Sequence, residues 1–348
     1  MAPSASDKLA HAPRPTAAPA TVTMVYLAVT GRCFLPCVHC HIGKHRTVDL
    51  PTDAWMGIIE RLGAFCAGAS VQFVGGEPLL RSDLEILIER AASVGLSCGI
   101  CTNGWMMTPA RAESLAKAGV SFAYVSLDGV RAETVDRTRG KAGSFAKALR
   151  AVQLLKRQPT IRVVLSSILH AGNADEFPAL IGFARKHGLV IVMQTLNATL
   201  GADEPNPRWR ETSELWPRTP ARRAAVERAL DQLLAVTHEG IVGNTVAQLE
   251  AARRYYLEPE EPPGIPCPAG NTEFGIDPLG NVRLCFYKDE IGSALSPTPL
   301  SELFESPVVA RCRAEIAECS DGCRLNTANQ DRFAPAGFLS SQERNEVR

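Results

Sequence analysis

Short apolar runs alternate with segments of helical periodicity from residue 24 onward, and the alternation repeats about six times. The apolar runs are rich in β-branched and aromatic residues, which predicts buried strands. The predicted strands are residues 24–30, 71–74, 96–103, 121–127, 161–169 and 189–196. Strands this apolar, separated by helices, require a parallel sheet that helices cover. Periodicity alone leaves two α/β folds open, a doubly wound sheet and an open partial barrel.

Capping residues mark several of the predicted helix ends. Ser82 and Glu85 have the spacing of a capping box, which predicts a helix N-terminus at this point. Thr108 and Pro109 predict the start of the next helix, because proline fits the first helical position. Gly188 follows a basic turn and predicts the end of a helix before the last strand.

The alternation stops near residue 197, and the rest of the chain has a different pattern. Residues 198–220 are rich in Pro, Asn and Trp and predict a loop, whereas 221–237 and 246–257 resume helical spacing. A Pro- and Glu-rich linker precedes a cysteine-rich segment that contains a predicted β-hairpin. We divide the chain into a flexible N-terminal segment (1–21), a strand–helix core (22–197), a helical linker region (198–262), a cysteine-rich module (263–327) and a polar tail (328–348).

Charge and composition limit the partners and the compartment of this chain of 348 residues. Lys plus Arg equals Asp plus Glu, at 37 each, so we expect neither nucleic acid nor a membrane as a partner. The chain shows no signal peptide and no 18-residue apolar run, which predicts a cytoplasmic protein. Its eleven cysteines are therefore expected to be metal ligands, catalytic groups or core residues rather than disulfides.

Three cysteines follow the first predicted strand with the spacing C-x3-C-x2-C, namely Cys33, Cys37 and Cys40. Three thiolates from one loop can hold three irons of a 4Fe-4S cluster and leave the fourth iron open. A zinc site completed by His39 or His41 is the alternative, although zinc more often pairs C-x2-C with a distant second pair. The haem signature C-x-x-C-H is also present, but haem attachment of this type requires export.

Two further motifs end predicted strands, at the edge where α/β folds bind ligands. Gly75 and Gly76, followed by Glu77, allow close approach to the backbone, and their oxygens could accept hydrogen bonds from an ammonium group. Ser126 and Asp128 could hydrogen-bond ribose hydroxyls, and each motif taken alone also fits an ordinary turn or helix cap. Arg139, in the segment after them, could bind a carboxylate.

In chain order the motifs are CFLPCVHC (33–40), GGEP (75–78), TNG (102–104), SLDG (126–129) and DRTRG (136–140). This ordered set, with each motif after a successive strand, resembles the radical S-adenosylmethionine (SAM) enzymes. The resemblance covers about residues 24–197 and implies a partial (β/α)6 barrel. It implies that one electron from the cluster cleaves SAM to methionine and a 5′-deoxyadenosyl radical, which abstracts hydrogen from a substrate.

The same resemblance assigns the remaining site residues. It implies that the open iron of the cluster binds the amino and carboxylate groups of SAM. The residues assigned to SAM are Gly75, Gly76, Glu77 and Pro78 at the ammonium, Ser126 and Asp128 at the ribose, Arg139 at the carboxylate and His39 near the adenine. His41 and His45 are left without a role.

The cysteine-rich module resembles the SPASM or Twitch region of such enzymes, which carries auxiliary clusters. The resemblance implies that one auxiliary 4Fe-4S cluster is ligated by Cys267, Cys285, Cys319 and Cys323. Cys312 is a spare or exchange ligand, and a zinc site is the structural alternative. Phe286 stands where the sulfatase-maturating branch has an acidic residue, which disfavours that substrate.

Other polar residues and cysteines on the strands are expected to be structural. Cys98 and Cys101 lie three residues apart on a strand and so face opposite sides, which predicts, as for Cys66, small buried side chains rather than a metal site. His170 and Gln194 end the fifth and sixth strands and could face a substrate, although a structural role is the default for each.

These observations favour a radical SAM enzyme that removes hydrogen from a C–H bond, with net oxidation through the auxiliary cluster. The substrate is expected to be a small biosynthetic intermediate, with a ribosomally made peptide as the alternative and a non-enzymatic zinc-binding module as the alternative of another class. An electron donor such as flavodoxin or ferredoxin is the expected protein partner.

Overall fold

A parallel sheet, extended at one edge by a hairpin, forms the frame of the protein. The computed structural model describes residues 22–44, 48–197, 206, 208–261 and 264–319. Among these residues the strands are β1 (Met24–Thr30), β2 (Ser70–Gly75), β3 (Ser97–Thr102), β4 (Val120–Ser126), β5 (Arg162–Leu169), β6 (Val190–Thr195), β7 (Glu273–Ile276), β8 (Asn281–Arg283) and β9 (Gly292–Ser293). Their order is β6-β5-β4-β3-β2-β1-β7-β8-β9. Every pairing from β6 to β7 is parallel, and β7, β8 and β9 pair antiparallel.

The helices cover one face of this sheet. They are α1 (Thr52–Phe65), α2 (Leu84–Ser93), α3 (Pro109–Ala118), α4 (Ala132–Arg139), α5 (Ser144–Lys156), α6 (Phe177–His187), α7 (Trp209–Thr212), α8 (Pro220–Ala235), α9 (Val246–Leu257), α10 (Leu300–Phe304) and α11 (Pro307–Ala317). Alternate residues of β1, such as Leu27, join the apolar core with α1, whose buried face includes Trp55 and Ile59. No helix in the described part of the chain is long and apolar enough to cross a membrane.

The other face of the sheet encloses a cavity. Side chains from β1, β3, β4, β5, β6 and β7 all line this cavity, which requires the sheet to curl around it. The end strands β6 and β9 do not close the sheet on each other. The predicted open partial barrel is therefore confirmed, and the doubly wound alternative is wrong because the helices do not cover both faces.

Several predicted helix ends agree with the structure and one does not. Thr108 caps α3 with proline at its first turn, and Gly188 ends α6 in the left-handed conformation. The predicted capping box at Ser82 and Glu85 is wrong, since Asp83 precedes α2 and no side chain caps it. The Asp83 carboxylate instead pairs with the nearly buried Arg81 at 2.6 Å.

The predicted hairpin is present as β7 and β8, but its position in the fold was not anticipated from the sequence. β7 pairs with β1 in register from Met24 opposite Glu273 to Leu27 opposite Ile276. The core sheet thus continues across the boundary that we predicted between core and cysteine-rich module. That division of the chain stays a prediction.

Three aromatic rings join the C-terminal segment to the core. Phe274 of β7 lies 6.2 Å from the ring of Phe65 in α1 and 4.9 Å from that of Phe304 in α10. Phe65 and Phe304 are 5.0 Å apart, and Phe274 is 1% exposed. This packing predicts that the C-terminal segment and the core unfold together.

Phe274→Ala removes the central ring of this cluster, so we expect it to lower the free energy of unfolding by about 3–5 kcal/mol. Chemical denaturation followed by circular dichroism should show one transition, shifted to lower denaturant. Leu295→Ala is the control, because that side chain is 48% exposed. Two separate transitions, with only one shifted by Phe274→Ala, would show that the module folds independently.

Candidate functional site

A cavity of about 400 Å³ opens at the carboxyl ends of the parallel strands. It is lined by most of the residues that the sequence singled out. The predicted site residues in its wall are Cys33, Cys37, His39, Cys40, Gly75, Gly76, Ser126, Arg139, Cys267 and Cys285. Gln194 also lines the cavity, whereas Glu77, Pro78 and Asp128 do not.

The cysteine loop is held against its surroundings by three glycines. A Cβ atom on Gly43 would lie 2.6 Å from the carbonyl oxygen of Cys33, and one on Gly76 would lie 2.1 Å from that of Arg32. A Cβ atom on Gly140 would lie 2.3 Å from the carbonyl oxygen of Pro36. The backbone that carries Cys33 and Cys37 therefore passes closer to these neighbours than any other residue type permits.

Hydrogen bonds fix the start of this loop to the end of β2. The Gly76 amide donates to the Thr30 carbonyl at 2.7 Å, and the Glu77 amide donates to the Arg32 carbonyl at 2.8 Å. The buried Thr30 hydroxyl donates to the Asp49 carboxylate, which also pairs with Arg32 at 2.8 Å. The Gly-Gly turn thus positions the first cysteine in addition to lining the cavity.

The Glu77 carboxylate is buried and does not line the cavity. The side chain is 1% exposed, and it accepts hydrogen bonds from the Thr102 hydroxyl at 2.8 Å, the Asn103 amide at 2.8 Å and the Leu79 amide at 3.1 Å. Burial raises its pKa to about 7, against these hydrogen bonds, which lower it. In this position Glu77 ties the end of β2 to the end of β3. The motif therefore borders the cavity through Gly75 and Gly76.

A buried ion pair connects β4 to the cysteine loop. Arg139, at the end of α4, lies 2.7 Å from the carboxylate of Asp128, which is fully buried. Burial opposes ionisation of Asp128, but the Arg139 guanidinium offsets it and holds the pKa of Asp128 below its ordinary value. The same guanidinium interacts with the Cys37 thiol and favours its ionised form, against the burial that raises the pKa of Cys37. Asp128 therefore acts on the cavity by orienting Arg139.

Two nitrogen atoms in the cavity wall are buried without a protein partner. Among the described residues, neither Nε of Arg139 nor Nδ1 of His39 has a hydrogen-bond partner. Burial, reinforced by Arg139, lowers the pKa of His39 to about 4, so its imidazole is neutral. Buried polar atoms of this kind are usually satisfied, which makes both nitrogens candidates for ligand contact.

Other histidines have different positions. His170 is fully buried, and its Nδ1 accepts a hydrogen bond from the Gly172 amide at 3.0 Å, which agrees with the structural role expected for it. His41 is half-buried in the cysteine loop, and His45 lies outside the described residues.

Cysteines of the C-terminal segment also contribute to the cavity wall. Cys267 and Cys285 line it, and Cys312 is buried in α11. Burial raises the pKa of Cys285, with further increases from nearby Cys319 and Cys312, so these three thiols lie in one neighbourhood. Cys323 lies outside the described residues. Cys98 and Cys66 are buried in the apolar core as expected, whereas Cys101 both packs inside the barrel and lines the cavity.

Two polar side chains in the cavity wall were missed by the sequence reasoning. Tyr26 of β1 and Glu273 of β7 both line the cavity, and the Tyr26 hydroxyl donates to the Glu273 carboxylate at 3.4 Å. Burial raises the pKa of Tyr26 well above its ordinary value, and Glu273 raises it further. Because successive side chains of a strand point to opposite faces of the sheet, Tyr26 faces the cavity while its neighbour Leu27 faces the core. This alternation could have identified Tyr26 from the sequence.

Three thiols of one loop line this cavity, namely those of Cys33, Cys37 and Cys40. A 4Fe-4S cluster takes one thiolate at each of three irons and leaves its fourth iron open. The residues present therefore fit such a cluster.

Comparison with known proteins identifies the domain that carries this site. Residues 27–184 match the Radical SAM superfamily, which confirms the resemblance found in the sequence. The chain is 31% identical over 163 residues to the PqqA peptide cyclase of Granulibacter bethesdensis, a match that covers 46% of this chain and 43% of that protein. The chain thus spans less than half the length of that relative.

Two further proteins are similar over most of this chain. It is 28% identical over 328 residues to the pre-heme d1 synthase of Dinoroseobacter shibae, covering 86% of this chain and 78% of that protein. The structure of Streptococcus suis SuiB bound to S-adenosylmethionine superposes with a TM-score of 0.67 at 15% identity, covering 88% of this chain and 74% of that one. The similarity to SuiB shows that the fold is shared.

Gly140→Ala should disturb the cysteine loop, because its Cβ atom meets the Pro36 carbonyl. Gly143→Ala is the matched control, since both residues have positive φ, +70° and +89°, but a Cβ atom on Gly143 meets nothing closer than 3.8 Å. We expect Gly140→Ala to lower the free energy of unfolding by about 1–3 kcal/mol more than Gly143→Ala, and to lower iron content after reconstitution. Equal behaviour of the two variants would contradict the close approach.

Glu77→Ala should destabilise the fold by leaving three buried donors without an acceptor. We expect a loss of about 2–3 kcal/mol in the free energy of unfolding. Glu89→Ala, at an exposed position of α2, should change it by less than about 0.5 kcal/mol. Thermal or chemical denaturation of both variants measures the difference, and similar small losses would mean that Glu77 does not join β2 to β3.

Proposed function

We propose, since residues 27–184 match the Radical SAM superfamily, that the protein is an enzyme that cleaves SAM reductively and removes hydrogen from a substrate C–H bond. The observation that carries this proposal is the cavity itself. It brings three thiols of one loop together with the Gly-Gly turn, Ser126 and Arg139. In the sequence, Cys33 and Arg139 lie 106 positions apart.

The cysteine loop supplies the thiolates that would hold the catalytic cluster. Cys33, Cys37 and Cys40 line the cavity and leave one corner of a four-iron cluster for SAM. When bound, this cluster supplies the electron that splits SAM into methionine and a 5′-deoxyadenosyl radical.

The remaining residues in the wall suit the polar groups of SAM. Gly75 and Gly76 line the cavity, and their backbone oxygens would accept hydrogen bonds from its ammonium group, while the Arg139 guanidinium suits its carboxylate. Ser126 would bind the ribose, and the neutral imidazole of His39 would contact the adenine. Asp128 and Glu77 act indirectly, by fixing Arg139 and the β2–β3 edge.

A second cluster would be held on the C-terminal side of the same cavity. Cys267 and Cys285 line the cavity, with Cys319 close to Cys285, and Cys323 completes the four ligands that the resemblance implies. Such a cluster would accept the electron that remains after hydrogen abstraction, so that the net reaction would be an oxidation.

The substrate is proposed to be a small biosynthetic intermediate. A cavity of about 400 Å³ is at the lower end of the range for small-molecule sites, about 300–1,000 Å³, and it must hold the reacting part of SAM as well. Tyr26, Gln194 and Glu273 provide polar groups for orienting such a molecule. The relative named pre-heme d1 synthase, which matches over most of this chain, is consistent with this class.

A peptide substrate is the second candidate, and the relatives give a specific reason for it. One relative is named as a peptide cyclase, and the structural neighbour SuiB also has a structure with its precursor peptide SuiA. In this case only the modified side chain would enter the cavity. Product analysis after incubation with each candidate substrate separates the two classes, because only the true substrate is consumed and a net oxidation lowers its mass by the hydrogens removed.

Anaerobic reconstitution tests the proposed chemistry. We expect about eight irons per chain and release of 5′-deoxyadenosine from SAM after reduction with dithionite. Cys40→Ala should retain about four irons and release no 5′-deoxyadenosine, because only the catalytic cluster is lost. Cys66→Ala, a buried cysteine outside the cavity, should behave like the unaltered protein. Stoichiometric zinc without SAM cleavage would contradict the proposal and favour the zinc-binding alternative.

A further inference from the structure

The cysteine loop has an outer surface as well as the inner surface that faces the cavity. Cys33 and Cys37 line the cavity, but the residues that follow each of them, Phe34 and Val38, do not. Val38 is 40% exposed. The loop therefore carries side chains outside the cavity wall directly next to two of its cysteines.

An aromatic and basic group adjoins this outer surface. The rings of Phe34 and Trp105 pack edge to face at 5.7 Å, and the Lys141 ammonium lies over both rings, 4.9 and 4.5 Å from their centres. Lys147 lies 5.6 Å from the centre of the Trp105 ring. Met106, next to Trp105, is 43% exposed. We call this group, Phe34, Val38, Trp105, Met106, Lys141 and Lys147, the loop face.

The positive charges of the loop face are not balanced by acidic side chains in contact with them. Within the part of the chain that the structure describes, neither Lys141 nor Lys147 forms an ion pair. The nearest acid on α4, Asp136, accepts hydrogen bonds from the Gly143 and Phe145 amides at 2.7 and 2.8 Å, which occupies both of its oxygens. Asp49 is paired with Arg32 at 2.8 Å.

None of the six residues of the loop face lines the cavity. A substrate or SAM bound in the cavity therefore leaves this surface accessible. An exposed apolar patch with a basic rim is the pattern of a transient protein interface, and its charge selects an acidic partner.

We propose that the loop face is the docking surface for a small acidic one-electron carrier protein of the flavodoxin class. The carrier gives up one electron and is oxidised by one equivalent, and the iron–sulfur centre held by the cysteine loop is reduced by one. The electron thus enters from outside the loop while SAM is bound from inside. This inference rests on the proposed function, since only a reductively activated enzyme needs such a carrier.

Charge reversal on the loop face tests the docking surface. Lys141→Glu and Lys147→Glu should each weaken binding of flavodoxin, measured by isothermal titration calorimetry on the reconstituted protein, by about fivefold to tenfold. Lys186→Glu, an exposed lysine in the last turn of α6 at the opposite end of the strands, makes the same change of charge and should have little effect. Binding to the unaltered protein should weaken as ionic strength rises from about 0.05 M to about 0.5 M.

The two ways of supplying electrons separate docking from chemistry. With flavodoxin, its reductase and NADPH, the Lys141→Glu and Lys147→Glu variants should release 5′-deoxyadenosine about fivefold to tenfold more slowly. With dithionite, which needs no docking surface, they should match the unaltered protein. Lys141→Arg should restore the flavodoxin-driven rate, because it keeps the charge.

Either of two results would overturn the docking surface. One is unchanged flavodoxin binding in both Glu variants, which would leave the loop face to a peptide or to a second copy of the chain. The other is an equal loss with dithionite and with flavodoxin, which would mean that the lysines support the loop rather than a partner. Failure of the unaltered protein to release 5′-deoxyadenosine with dithionite would instead refute the proposed function, and the binding measurement would still decide the docking surface.

Discussion

The close approach of the cysteine loop to the ends of the strands is the constraint on which the site depends. Three thiols can share a cluster only if the backbone that carries them is held in one conformation, and a loop of this length has no regular hydrogen bonding of its own. Gly43, Gly76 and Gly140 let the loop carbonyls approach to distances that a side chain would block. The amides of Gly76 and Glu77 then bind the carbonyls of Thr30 and Arg32, where the loop begins. The motif GGEP is therefore as much a support for the loop as a ligand-binding turn.

Buried charges extend this support to the neighbouring strands. Glu77 receives donors from the end of β3, and Asp128 at the end of β4 holds Arg139, which reaches the Cys37 thiol. Burying these groups is costly unless each has a partner: Glu77 accepts three hydrogen bonds, and Asp128 forms an ion pair with Arg139. The result is a rigid rim along the carboxyl ends of β1 to β4. The motifs that predict ligand contacts therefore contain two kinds of residue. Some, such as Gly76 and Arg139, line the cavity, whereas Glu77 and Asp128 hold their neighbours in position.

Much of the fold and of the site could be predicted from the sequence, because both depend on local patterns. Strand positions followed from apolar runs, and the order of the motifs placed Cys33, Ser126 and Arg139 at one edge before any distance was known. The pairing of β7 with β1 could not be predicted, since Met24 and its partner Glu273 lie 249 positions apart and carry no mutual signal in one sequence. The burial of the Glu77 carboxylate also could not be predicted, because it depends on donors from β3. The same is true of the loop face, which depends on the packing of Trp105 against Phe34.

The central claim is that the three thiols of the cysteine loop hold a cluster with one corner open to SAM. Electron paramagnetic resonance of the reduced, reconstituted Cys267→Ala/Cys285→Ala variant tests it most directly, because removing two auxiliary ligands isolates the signal of the catalytic cluster. We expect the spectrum of one reduced 4Fe-4S cluster whose g-values change when SAM is added. A spectrum that SAM leaves unchanged, or the absence of any iron signal from this variant, would contradict it.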